Sequence, residues 1–206
     1  MTERPLSAAT MPAHAVIHAH AERDSTDDAP RILASGVVAH VGFVERGEPV
    51  VIPMTYHADP AEPRRLYLHG GTSGRLMTHL ASGAPVCVAV TLVDGLVYSR
   101  TALHHSVNYR SVVLWGRAAA QQPGADEQRR ILEAMIGRYF PGRTAGVDYE
   151  SIPDAHLRAT ALVALDVEEW SAKTRTGGPN GPADLDPTRP GSAGVTTPSL
   201  EVGGAA

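Results

Sequence analysis

The chain has one cysteine in 206 residues, Cys87, so an internal disulfide framework is excluded. Cys87 lies in the apolar run 85–90, where a thiol reads as buried and structural rather than nucleophilic. No apolar run is long enough to cross a bilayer. The first residues lack the basic start and apolar stretch of a secretory signal, so the expected location is cytoplasmic, with no membrane partner. An excess of positive charge is missing too. Lys and Arg total 18 against 22 Asp and Glu, a formal net charge of -4, and such a surface has no overall field to attract nucleic acid. Several catalytic motifs are also absent. The chain has no Gly-Lys-Ser/Thr phosphate loop, dinucleotide fingerprint, Gly-x-Ser-x-Gly elbow, His-Glu-x-x-His or Ser-x-x-Lys, which disfavours NTPases, Rossmann enzymes and the familiar hydrolases.

What is present reads as a β-rich domain. Residues 1–30 show no sustained period and form an expected N-terminal arm. Residues 37–44 and 49–56 flank Arg46-Gly47 as a hairpin. Further strands are expected at 65–69, 84–93, 96–102, 111–118 and 161–167, with Asp94-Gly95 turning the chain between two of them. Helices are expected at 73–82, with Ser73 as N-cap, around the apolar series Ile131, Leu132, Met135, Ile136 and Tyr139, and after Pro153. Residues 179–206 are rich in Gly, Pro, Ser, Thr and Ala and are expected to be disordered. The expected fold class is mainly β with helical decorations, an antiparallel barrel over residues 31–178.

The most informative stretch joins strand 66–69 to Gly70, Gly71, Thr72, Ser73, Gly74 and Arg75. Glycines permit close backbone approach and positive φ, Thr72 and Ser73 offer hydroxyls, and Arg75 offers a bidentate cation, a set suited to a phosphate monoester. The same residues also suit a plain strand-to-helix turn. His69 closes the strand beside this loop and reads either as a structural hydrogen-bonding group or as a reactive one. His14 and His18 have i,i+4 spacing without an acidic or thiol partner, so no metal site is expected. His104 and His105, if on a strand, point opposite ways. Trp170, Lys173 and Arg175 follow the last expected strand, and either cover a cofactor edge or cap the barrel.

Four segments in order carry a resemblance: 51–56; 67–70 with 74–76; 108–113 with 116–118; and 169–173. Together they resemble the split β-barrel flavoproteins of the pyridoxamine 5'-phosphate oxidase superfamily, and more closely the nitroimidazole-reductase branch. The resemblance implies a homodimer with FMN at the subunit interface. The FMN phosphate would be held near Thr72, Ser73 and Arg75, and the backbone of Pro53, Met54 and Thr55 would lie along the ring. Asn108, Tyr109, Arg110 and Ser111 would border the site, and Trp170, Lys173 and Arg175 would approach from the C-terminal end. It also implies His69 beside the reactive centre as the catalytic residue. The vitamin B6 oxidase ending is absent, since Ser171-Ala172-Lys173 follows Trp170, so pyridoxamine 5'-phosphate is not the expected substrate.

The expected activity is FMN-dependent transfer of electrons from NAD(P)H to a small organic acceptor such as a nitro-heterocycle. Two alternatives stand beside it, because one fold serves many ligands. One is a haem-handling protein with His69, His104 or His105 as axial ligand. The other is a non-catalytic FMN-binding dimer.

Overall fold

Alternation of apolar and polar residues at period two builds the sheet. In Val38–Glu45 (β1) the inward positions Ala39, Val41 and Phe43 are buried while Val38 and Val44 face out. The computed structural model describes residues 14–59 and 61–197. Glu48–Ala58 (β2) returns along β1 through a two-residue turn in which Arg46 (φ 53°) and Gly47 (φ 83°) both take positive φ. A turn of this hand matches the twist of the paired strands, which is why the hairpin can be this tight.

Arg65–Gly71 (β3), Val86–Tyr98 (β4), Ser106–Ala118 (β5) and Thr160–Arg175 (β6) complete a ring. The order is β1-β2-β3-β6-β5-β4, every pair antiparallel, and β1 pairs again with β4 to close the barrel. Closure satisfies strand edges that would otherwise be exposed. Inside sit Val41, Tyr56, Leu68, Val88, Leu114 and Leu165, each fully buried. The short helices Ala29–Ser35 (α1) and Arg75–Ala81 (α2) add Ile32, Leu33, Leu76 and Leu80 to this core.

Ala125–Tyr139 (α3) lies on the outside of β3 and β6 and makes a second, smaller core from Ile131, Tyr67, Leu162, Ala164 and Ala119. Complete burial of Ile131 stabilises this packing by roughly 1.5–3 kcal/mol. Arg138 fixes the helix end by donating to the carbonyls of Leu33, Ala34, Gly36 and Tyr56. Asp154–Ala159 (α4) follows Pro153 as expected.

Several expectations change. Asp94-Gly95 does not turn the chain: β4 runs through it with a register shift against β5, so two expected strands are one. A bulge absorbs the extra residue while pairing on either side continues. The last strand begins at Thr160 and extends to Arg175, placing Trp170, Lys173 and Arg175 within it rather than after it. Helix α2 starts at Arg75 with Gly74 at its N-cap, so Ser73 is not the cap. His14 and His18 lie outside any helix, and Ala102–His104 forms a 3-10 turn instead of strand.

The C-terminal segment expected to be disordered is in place as far as residue 197. Gly194–Thr196 (β7) pairs with β4, and Asp184 accepts from the Ser99 hydroxyl and the amides of Arg100 and Gly181. Backbone pairing, the Asp184 carboxylate and the Arg100 guanidinium, which donates to the carbonyls of Arg189 and Gly191, hold the segment, and composition carries no signal of these. Residues 1–13 and 198–206, parts of the expected arm and tail, lie outside the described residues.

Candidate functional site

Two features on the outside of the barrel gather the chemistry-bearing residues. The first is a cavity of about 590 Å³ between the β2–β3 face and α3. Thr55 and His69 line it from the sheet, Leu132, Met135, Ile136 and Tyr139 from the helix, and Ile152 and Thr160 from the segments around α4. Its walls are largely apolar. The His69 Nδ1 is buried without a hydrogen-bond partner among the described residues, and burial pushes the ring's pKa below its usual 6.5. The histidine is therefore held neutral, with Nδ1 packed in protein while the half-buried ring lines the cavity.

A neighbouring histidine on the same face behaves alike. His57 lies opposite Tyr67 and is 6% exposed, its Nδ1 is also unpartnered, and burial lowers its pKa with the cation of Arg138 adding to the effect.

The second feature is the outer face of β2, β1, β4, β5 and β6. Directly paired residues share a face, so Pro53, His40, Ala89, Val113 and Ser171 form one row across five strands. Val51, Gly42, Cys87, Trp115 and Glu169 form the next, and Thr91, Ser111 and Lys173 a third. The rows hold small, apolar and hydroxyl side chains and few charges. Cys87 is half-buried, and burial raises its pKa, in keeping with an inert thiol.

The expected site residues sort unevenly onto these features. Thr55 and His69 meet in the cavity, and Pro53 stands on the outer face beside it, whereas Met54 packs against the core and could meet a ligand only through its backbone. Thr72, Ser73 and Arg75 are exposed, and the Arg75 Nε lies 3.3 Å from the Glu45 carboxylate. None of Gly70, Gly71 and Gly74 takes positive φ, so that part of the phosphate-loop argument fails.

Asn108 is buried, donating to the Gly177 carbonyl and accepting from Arg175, so both side chains are committed to holding the end of β6. Arg110 is committed as well, with its fork on Asp94 at 2.9 and 2.7 Å, an arrangement that holds the Asp94 carboxyl below the usual range. Tyr109, Ser111 and Lys173 keep the outer face. Trp170 pairs with the buried Leu114, packs against the core and carries the Arg64 guanidinium 4.2 Å from its ring centre. The tryptophan on the outer face is Trp115, which is not among the expected site residues. Alternation along β5 turns it out between the inward Leu114 and Gly116, and the bulge opposite it, at Glu168 of β6, is what turns Trp170 in.

Along β6 the two groups stand far apart. His69 pairs with Leu162 and Ser111 with Lys173, and these two partners are eleven residues apart on β6, about 35 Å along the strand. Among the described residues no cluster of His, Cys, Asp and Glu is placed to hold a metal ion, and no helix is long and apolar enough to span a membrane.

A family model described as pyridoxamine 5'-phosphate oxidase matches residues 25–174, and the chain belongs to that family. Among solved structures, it is similar to an FAD and haem binding protein from Mycobacterium smegmatis, at 31% identity over 89% of this chain and 88% of that one, with a TM-score of 0.73. It is similar as well to a flavocytochrome from Azotobacter vinelandii, at 30% identity over 87% of this chain and 80% of the other, TM-score 0.69. A protein provisionally described as a 5-nitroimidazole antibiotic resistance protein from Bacteroides thetaiotaomicron shares the fold, with 21% identity, 71% and 82% coverage and a TM-score of 0.56. No curated protein matches significantly.

Proposed function

We propose that this protein is a redox protein that binds a flavin on the outer face of its barrel and a haem in the cavity beside it, with His69 as the haem's axial ligand. The carrying observation is the cavity itself. It has about 590 Å³ of mostly apolar space, lined by one neutral histidine whose Nδ1 is packed in protein, so that Nε2 would be the nitrogen to meet a ligand. A haem needs apolar walls and an uncharged imidazole, and the lining of this cavity supplies both. The descriptions of the two relatives near 30% identity support the pairing of flavin with haem. The other axial candidates fit less well. His104 Nδ1 is 2.8 Å from the Thr101 hydroxyl, His105 is exposed, and neither lines the cavity.

Pro53 and Thr55 would border the flavin ring, and Thr72, Ser73 and Arg75 would meet phosphate, Arg75 by exchanging Glu45 for it. Tyr109, Ser111 and Lys173 would close the site from a second copy, making the working unit a homodimer. When bound, a flavin supplies hydride acceptance from NAD(P)H, and haem supplies one-electron transfer onward to a small acceptor. The chain's own part is to keep water from the cavity with Leu132, Met135, Ile136 and Phe140, and to keep the His69 ring neutral by burial.

The test is the visible spectrum of purified protein, as isolated and after addition of haemin with FAD or FMN. A flavin band together with a Soret band is expected, and His69→Ala should lose the Soret band while retaining flavin. Absence of any Soret band from the haemin-treated wild type would overturn the haem assignment. Because Thr55 and His69 also belong to the expected flavin set, the cavity would then be the acceptor pocket of an FMN-dependent reductase, and His69→Ala would instead raise the KM for a nitro-heterocyclic acceptor.

A further inference from the structure

The N-terminal arm sits on the outer face in a way that copies a nucleotide. The His14 imidazole stacks on Trp115, with ring centres 5.6 Å apart and planes 23° from parallel. The amides of His14 and Ala15 both donate to the Glu169 carboxylate, at 2.8 and 3.1 Å. Further along, the Lys173 ammonium donates to the Ala19 carbonyl at 2.5 Å. The seat thus offers a planar aromatic, a carboxylate that takes paired donors, and a cation.

Those groups lie in line. Trp115 is directly opposite Glu169, and Glu169, Ser171 and Lys173 follow one another along one face of β6, while Leu114 and Ala172 turn inward. From Glu169 to Lys173 is about 13 Å at the strand rise, the reach from a purine ring across a ribose to a diphosphate. Aromatic faces stack bases, carboxylates accept from ribose hydroxyls, and an ammonium meets phosphate oxygen. The Asp24 carboxylate, whose backbone bridges to Lys173, is turned away onto the Thr26 amide and hydroxyl at 2.9 and 2.7 Å. At its far end the track reaches Ser111, the pair of Lys173 and one of the groups assigned above to the flavin.

We infer that the track of Trp115, Glu169, Ser171 and Lys173 is the seat of the adenosine diphosphate half of a dinucleotide flavin, and that residues 14–19 of the arm fill it when that half is absent. This inference rests on the flavin reading above and deepens it: the track selects FAD over FMN. The arm is a stand-in, with His14 in place of adenine, two amides in place of ribose hydroxyls and the Ala19 carbonyl in place of a phosphate oxygen. Binding is then an exchange in which the arm leaves as the nucleotide enters.

The experiment measures affinities of the full-length protein for FAD, FMN and ADP, following ADP by quenching of tryptophan fluorescence. Trp115→Ala should weaken FAD by about ten-fold or more, the effect of removing one stacking platform, and leave FMN unchanged. ADP should quench the wild type, and the quench should disappear in Trp115→Phe, which retains a ring and guards against misfolding. His14→Ala, which removes the competitor's ring, should bind ADP more tightly. Equal weakening of FAD and FMN in Trp115→Ala, or no ADP binding by either wild type or His14→Ala, would overturn the inference. ADP quenching at Trp115 in a protein that takes no flavin would sink the flavin reading alone and leave the nucleotide track standing.

Discussion

His57 and His69 show how the environment, more than the residue type, sets a side chain's chemistry. Both are held neutral by burial, and His57 also faces the cations of Arg138 and Arg130, with Asp59 opposing them. In the unfolded chain both would titrate near 6.5, so on acidification the unfolded state takes up protons that the folded state resists. The stabilising contribution is complete above 6.5 and falls as pH drops below it toward the depressed folded values. The urea midpoint should therefore decline between about pH 7.5 and pH 5, and His57→Phe should flatten part of that decline. Equal slopes for variant and wild type would show that His57 titrates normally. Sequence reading singled out His69 because a polar ring ended an apolar strand, but His57 has the same local look as any exposed strand histidine. Its burial comes from α3, which is far away in sequence.

At the scale of the element, the bulge between Trp115 and Gly116 has the largest consequences. By inserting Glu168 on β6 it lets Trp170 turn in with Leu114 although Val167, three residues before it, is buried too. Gly116 permits it: a Cβ there would stand 2.2 Å from the Asp166 carbonyl oxygen, a backbone atom that cannot step aside. Gly116→Ala should cost roughly 2 kcal/mol or more, at the upper part of the range for overpacked sites, read as a lowered denaturation midpoint with unchanged m-value. A variant as stable as wild type would mean the two strands can separate locally. The Arg46-Gly47 hairpin, the helix around Ile131 and the helix after Pro153 were legible because their signals are local: turn dipeptides and a 3.6-residue period. The continuity of β4 through Asp94-Gly95 was not legible, since the same dipeptide makes a turn or a bulge according to the partner strand beside it.

At the scale of the whole molecule, the length of β6 divides the site. One end holds Leu162 beside His69, and the other holds Lys173 beside Ser111. The flavin proposed above, touching both groups, would draw them from two copies of the chain. In a mixed dimer of Arg75→Ala and Ser111→Ala subunits, one of the two sites has neither substitution, so about half the wild-type flavin should be retained while each variant alone loses it. No flavin in the mixed dimer, or sedimentation of wild type as a single subunit, would place the whole site within one chain. The sequence by itself determined the β-rich class, where most strands begin, the tight hairpin and the candidate residues, because alternation, turn chemistry and residue type act over a few positions. Tertiary structure alone decided that Trp170 turns into the barrel, that α3 stands over His69 as one wall of an apolar cavity, and that the C-terminal segment folds back as β7. Each of these depends on what a distant strand or helix brings alongside, and no short stretch of sequence carries that information.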